Sequence, residues 1–297
     1  MKCLLIGADG QLGSELCRII PPNELVALTI KEIDITDQEQ TRQVLAQHRP
    51  EMVINTAAYT AVDAAETHQA AARAVNETGV KNVAEACREI NAALVQISTD
   101  YVFSGAKPPG QAYTEDDQPD PRSYYGKTKL AGEEWVTRIL NKYYLVRSAG
   151  LYGVVGCLGK GGGNFVEAII KKAAKNETPT IVDDEFVSPT YSRDLAAKIC
   201  QLIRVDQYGL YHIVNQGQCS WYAFGAKILE LIGSGIKPDR ISQRELGSKA
   251  DRPANSALAS VRLKQIGLDE LRPWPDALRA YLEEKGYNVL GREGAKR

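Results

Sequence analysis

Histidine is scarce in this sequence: His48, His68 and His212 are the only copies, and their wide separation argues against a zinc site. The six cysteines (Cys3, Cys17, Cys87, Cys157, Cys200 and Cys219) form no C-x-x-C, and three of them sit in apolar segments. They read as reduced packing residues, which points to the cytoplasm rather than to a disulfide framework. Net charge is missing too. The 36 Lys and Arg against 37 Asp and Glu leave −1, so no basic field invites nucleic acid and no polybasic patch invites a membrane surface. No apolar run approaches the ~18–20 residues that cross a bilayer, and the apolar part of MKCLLIGADG is too short for a signal peptide. Otherwise the composition is ordinary for a globular protein, 44% apolar and 25% charged over 297 residues.

What is present is alternation. KCLLI (2–6), ELVALT (24–29), MVINT (52–56), AALVQIST (92–99) and YYLVRS (143–148) read as buried strands. Between them lie helical patterns near 11–20, 37–48, 63–90 and from about 123. Strands apolar on both faces, alternating with helices, predict an α/β fold, a Rossmann-type doubly wound parallel sheet. After Ser148 the regularity breaks into a glycine-rich loop (153–165), a helix near 165–176, a helix over 188–203 and a strand over 209–215. The expected division is a dinucleotide-binding domain, 1–150 with 185–215, and a smaller discontinuous substrate domain, 151–184 with 216–287. Residues 288–297 read as a mobile tail.

GADGQLG puts Gly7, Gly10 and Gly13 directly after the first strand and at the opening of a helix. A tight turn and a close backbone approach need residues without a Cβ, and the helix N-terminus then faces a pyrophosphate with free N–H groups. At the end of the second strand, where an acid usually meets the ribose, stand Thr29 and Lys31; Lys31 facing a 2′-phosphate tilts the cofactor from NADH toward NADPH. Thr99 and Asp100 leave the fourth strand at the carboxyl edge, where α/β sheets place ligands. In SYYGKTKLAGEE (123–134), Tyr125 and Lys129 are about 40° apart on a helix, whereas Tyr124 and Lys127 point elsewhere. A tyrosine near pKa ~10 is a poor acid at neutral pH, and a cation within ~4–6 Å lowers that value by about one to three units. Lys129 is placed to do so. Roughly one such Y-x-x-x-K is expected by chance. A second, Tyr281 with Lys285, follows no strand-end hydroxyl and reads as surface helix.

GADGQLG, NTAAYTAVDAAE (55–66), STDYVFSG (98–105) and SYYGKTKLAGEE, in this order, resemble the extended short-chain dehydrogenase/reductases. VSPTYSRDLA (187–196) and RPANSAL (252–258) extend the likeness toward the dTDP-4-dehydrorhamnose reductases, over about residues 1–285. The resemblance implies NADPH- or NADH-dependent reduction of the 4-keto group of a nucleotide-linked 6-deoxyhexose, for cell-surface polysaccharide precursors. It assigns Tyr125 as proton donor, Lys129 as its helper and ribose ligand, and Thr99 as polariser of the carbonyl. Gly10, Gln11 and Leu12 would meet the pyrophosphate, Asp34 and Ile35 the adenosine, and Ala57, Ala58 and Tyr59 the cofactor cleft. Asp100 would contact the sugar, with Asn164, Arg252 and Asn255 holding substrate or its diphosphate.

Departures sharpen the expectation. Dehydratases of this superfamily carry Thr-Asp-Glu where this chain has Thr99-Asp100-Tyr101, which disfavours dehydration. A tryptophan usual after the fifth strand is replaced by Gly150, which leaves a related 4-ketoreductase making a different deoxysugar in play. Some relatives join magnesium and acids at a dimer contact; Glu15 fits, but Arg193 stands where a further acid is wanted, so no metal is expected and a homodimer stays open. A non-catalytic, NADP-binding regulatory subunit of the same fold is the remaining alternative, and it has no need of Tyr125.

Overall fold

The computed structural model describes residues 1–157 and 161–290. The apolar runs form strands β1 (Cys3–Ile6), β2 (Leu25–Leu28), β3 (Met52–Asn55), β4 (Ala93–Thr99) and β5 (Tyr143–Ser148), with a sixth strand at Gly209–His212. All six are parallel, ordered Gly209–His212, β5, β4, β3, β1, β2. The chain moves outward from β1 to β2, then returns to the other side of β1 at β3. That reversal opens a crevice at the carboxyl ends of β1 and β3, the place where such sheets bind ligands.

Alternating residues of β1 enter opposite cores. Cys3 and Leu5 pack with Leu12 and Leu16 of α1 (Gln11–Ile19) and with Leu195 and Ile199 of the helix Ser192–Leu202. Leu4 and Ile6 pack with Leu45 of α2 (Gln38–His48) and with Val80, Val83 and Val136. Each such side chain contributes about 1.5–3 kcal/mol on burial. A third core, with Tyr152, Ile169, Ile181, Phe224, Ile228, Leu278 and Tyr281, gathers the helices Phe165–Ala174, Trp221–Leu231 and Trp274–Glu284.

Three expectations need correction. The helix over 63–90 is divided into Val62–Ala65, Gln69–Arg73, a π-helical turn at Ala74–Gly79 and Val80–Glu89. The helix over 188–203 begins only at Ser192, because Pro189 has no N–H to donate and Thr190–Tyr191 pair as a strand with Leu151–Tyr152. Of the expected mobile tail, residues 291–297 lie outside the described residues. Val289 and Leu290 are held, the one packed on the third core and the other donating its N–H to the Leu231 carbonyl at 2.9 Å. Of the glycine-rich loop, residues 158–160 likewise lie outside the described residues.

Candidate active site

At the crevice, the glycine turn is shaped by backbone contacts. Gly7 has φ +82°, and a Cβ there would lie 2.8 Å from Thr56 Oγ1; a Cβ on Gly13 would collide with the Gly7 carbonyl oxygen. Gly10 precedes α1 and supplies no side-chain cap, so the first N–H groups of Gln11, Leu12 and Gly13 are left for an anion. Thr56 Oγ1 donates to the Ile6 carbonyl at 2.8 Å, fixing the end of β3 beside the turn. This cradle fits a dinucleotide pyrophosphate. Ala57 N donates to Asn55 Oδ1 at 3.1 Å, and the Tyr59 backbone is clamped on both sides by Asn76, with Ala58 between them.

The second strand ends where an adenosine would lie. Thr29 gives both its N–H and its hydroxyl to Glu32 Oε2 (2.8 and 2.6 Å), and Lys31 is exposed. Asp34 accepts from Thr36 and pairs with no cation among the described residues, while Ile35 is buried against Gly79, where a Cβ would come within 2.7 Å of it. Directly after β2 stand Thr29 and Lys31 rather than an acid.

Thr99 ends β4, and Tyr125 and Lys129 lie on the helix Tyr124–Ile139, which Ser123 caps by accepting from Gly126 N at 3.1 Å. Helical phase buries Tyr125 and Lys129 and turns Lys127 out to solvent. The Thr99 side chain acts on the buried Tyr125 hydroxyl, favouring its ionised form. Thr99 Oγ1 also donates to Asp100 Oδ1 at 3.0 Å and accepts from Tyr101 N at 3.2 Å. Ala65, Ala72, Tyr59, Val62, Tyr101 and Tyr124 surround the Tyr125 ring, Tyr101 edge-on at 5.7 Å. Lys129 is only 4% exposed and donates to the Ile97 carbonyl at 2.7 Å.

The electrostatics differ from the expectation that Lys129 draws the tyrosine's pKa down. Burial pushes the Tyr125 hydroxyl well above its ordinary range and outweighs the opposing influence of Thr99. Burial pulls Lys129 down to about 8, against the favourable field of Glu133. Tyr125 is therefore a protonated acid at neutral pH, the state that a ketone reduction requires.

Several positioning residues escaped the sequence reading. Gly126 and Gly132 let the Tyr125 helix touch backbone: a Cβ would collide with the Tyr101 carbonyl at one and the Asn76 carbonyl at the other. Buried Asn76 joins the π-helical turn to Thr128 at 3.2 Å as well as to Tyr59. Glu133 accepts a two-pronged bond from Arg147 (2.9 and 2.6 Å) and a bond from Ser98 at 2.5 Å. The glycines stood inside the quoted motif, but only the opposing backbone reveals their purpose.

The remaining candidates are dispersed. Asp100 lies at the crevice, with Oδ2 accepting from Ser256 at 2.5 Å. Arg252 pairs with Asp63 at 2.6 Å and donates to the Tyr101 hydroxyl at 3.2 Å. Asn255 donates to the carbonyls of Lys107, Pro108 and Gln111 and accepts from Ala257 N, which makes it a loop clamp. Asn164 caps the helix Phe165–Ala174 and donates to Gly153 O and to the Tyr281 hydroxyl. Tyr281 is not on the surface: it is 0% exposed and donates to Glu167 at 2.6 Å, because its helix face closes the third core. Gly150 has φ +53°, and a Cβ there would crowd Val187 and Pro189 at 3.1 and 3.2 Å.

A divalent cation does not fit at Glu15. Its carboxylate, 1% exposed, takes Arg18 at 3.3 Å, and Arg18 reaches on to Glu284 at 2.7 Å. Arg193 adds a second guanidinium to Glu284 at 2.8 Å, and Tyr191 donates to the same carboxylate. The positive charge that a metal would bring is already present.

Three comparisons with known proteins bear on this geometry. The family model described as the RmlD substrate binding domain matches residues 1–286. A dTDP-4-dehydrorhamnose reductase of Streptomyces griseus is 39% identical over 304 aligned positions, covering 99% of this chain and 95% of the relative. The spore coat polysaccharide biosynthesis protein SpsK of Bacillus subtilis is 38% identical over 286 residues, 96% of this chain and 98% of the relative. Among solved structures, the dTDP-4-dehydrorhamnose reductase of Bacillus anthracis in complex with NADP superimposes with a TM-score of 0.90 at 38% identity, covering 96% of this chain and 100% of that one.

Proposed function

The chain belongs to the RmlD substrate binding domain family, and from that premise we propose that it reduces the 4-keto group of a nucleotide-linked 6-deoxyhexose with NADPH. The substrate is dTDP-4-dehydrorhamnose and the product dTDP-L-rhamnose, a precursor of cell-surface polysaccharide. The observation that carries this reading is the grouping of Thr99, at the end of β4, with buried Tyr125 and the anchored Lys129, at the carboxyl edge of a sheet whose glycine turn fits a pyrophosphate.

The cofactor's contribution is a hydride for the ketone carbon. Tyr125, kept protonated by burial, gives its proton to the oxygen that becomes an alkoxide. Thr99 supplies a second hydroxyl to that oxygen, and Lys129 fixes the helix against β4 and faces the cofactor ribose. Gly7, Gly10, Gln11, Leu12 and Gly13 hold the pyrophosphate, Asp34 and Ile35 border the adenosine, and Ala57, Ala58 and Tyr59 line the cleft. Lys31 supports NADPH over NADH. Asp100 and Arg252 remain the substrate-side candidates, while Asn164 and Asn255 act on the walls that surround them.

The division into a cofactor domain (1–150 with 185–215) and a substrate domain (151–184 with 216–287) is supported by the third core, which draws chiefly on the second set. Six free cysteines accord with the cytoplasm, and among the described residues no helix is long and apolar enough to cross a membrane. A homodimer is the assembly to be checked by light scattering. Gly150 favours one second reading, a 4-ketoreductase acting on a different deoxysugar. The deciding experiment follows NADPH and NADH oxidation with dTDP-4-dehydrorhamnose and identifies the product. Cofactor binding without turnover of any keto sugar would sink the reductase reading.

A further inference from the structure

The Glu185 side chain has an oxygen, Oε1, without a hydrogen-bonding partner among the described residues. It is 5% exposed, and its Oε1 is enclosed by protein and accepts nothing. It lies in the turn that leads into the strand Phe186–Val187, beside the loop that carries Arg252 and Asn255: Phe186 N donates to the Ala254 carbonyl at 2.8 Å. The charges that act on it are Arg252, Asp184 and Asp63, and it acts in turn on the Tyr101 hydroxyl. Arg252 spends its two terminal nitrogens on Asp63 and Tyr101, and its Nε, also enclosed, has no partner. Glu185 thus carries an unfilled acceptor and Arg252, whose charge acts on it, an unfilled donor, and Arg252 is one aromatic ring away from Tyr125, since Tyr101 meets the Tyr125 ring edge-on.

An enclosed carboxylate oxygen and an enclosed guanidinium nitrogen without partners each cost the protein a desolvation penalty. A ligand that fills both recovers it. A hydroxyl does so, because it donates through its hydrogen and accepts through its oxygen. A diphosphate cannot, since it has no proton for Glu185 and would meet the carboxylates of Glu185, Asp184 and Asp63. Resting on the nucleotide-sugar reading above, we infer that Glu185 is a substrate-contacting, specificity-determining residue. It accepts a hydrogen bond from a ring hydroxyl of the hexose, and Arg252 donates to the same sugar rather than to the diphosphate.

The carboxyl is poised to titrate where this can be read. Burial pushes Glu185 up to about 7, with Arg252 opposing and Asp184 and Asp63 adding. Above that pH it is an ionised acceptor, and below it the acceptor is weakened by its proton. Sugar binding should therefore tighten as pH rises through about 7.

The test is calorimetric binding of dTDP-L-rhamnose, and separately of dTDP, to wild type and to Glu185→Gln, each saturated with NADP+. The expected result is roughly tenfold weaker binding of dTDP-L-rhamnose by the variant. Its dTDP and NADP+ affinities should be unchanged, and the pH dependence near 7 should be lost. Glu185→Asp, which keeps the charge but withdraws it, should weaken sugar binding and retain the pH dependence. Equal weakening of dTDP and dTDP-L-rhamnose, or no weakening of either, overturns the inference. The two readings fail differently: sugar binding that obeys Glu185 without any turnover defeats the reductase, while turnover indifferent to Glu185 defeats only its role.

Discussion

Lys129 places its ammonium on the backbone carbonyl of Ile97, 2.7 Å away, and so ties the Tyr125 helix to the strand that ends in Thr99. Burial sets its pKa at about 8, below the ordinary 10.5. The fold therefore disfavours the protonated form, and a cost of about 3 kcal/mol is fully present below pH 8. It fades as pH climbs toward the unfolded value. Replacing Lys129 by Met should abolish turnover, and wild type should gain stability relative to the variant between about pH 8 and about 10.5. Urea unfolding of both proteins across that range reads the difference, and parallel curves would refute it.

Tyr125→Phe removes the proposed proton donor but keeps the ring among Tyr59, Tyr101 and Tyr124. Turnover should fall about 10²–10⁴-fold, with the dissociation constant for NADPH nearly unchanged by fluorescence titration. Thr99→Ser should keep most activity and Thr99→Ala should not, because the hydroxyl bonds Asp100 and Tyr101 N and acts on Tyr125.

Gly132→Ala puts a methyl group into the Asn76 carbonyl, and no flexible side chain can yield there. The Tyr125 helix must shift or the π-helical turn must open, at about 1–3 kcal/mol. Thermal unfolding should show that loss, together with a lower kcat. The exposed neighbour Lys127→Ala should stay within about 0.5 kcal/mol of wild type and retain its rate.

Tyr281→Phe separates the two Y-x-x-x-K pairs. Its hydroxyl donates to Glu167 and receives Asn164, both at the edge of the third core. Losing it should cost about 1–3 kcal/mol in chemical denaturation and leave kcat and the NADPH affinity as they were.

How much of this was legible depended on whether the cause was local. Strands β1 to β5 are apolar on both faces, and their positions could be read within a residue or two. Tyr125 and Lys129 were selected by helical phase, a local property. The π-helical turn was not visible, because Asn76 shapes it through Tyr59 and Thr128, which are distant in sequence. Tyr281 was misplaced for the same reason: its spacing to Lys285 equals that of Tyr125 to Lys129, and only packing reveals that it is enclosed. Arg252 was legible as a motif residue. Glu185, without a local signature, needed the neighbouring loop to give it meaning.

The most direct measurement incubates the enzyme and dTDP-4-dehydrorhamnose with NADPH carrying deuterium at C4 of the nicotinamide, and locates the label by NMR. The account predicts deuterium on C4 of the hexose, formed rapidly by wild type and scarcely at all by Tyr125→Phe. Consumption of the sugar without label at that carbon, or equal transfer by the two proteins, would contradict it.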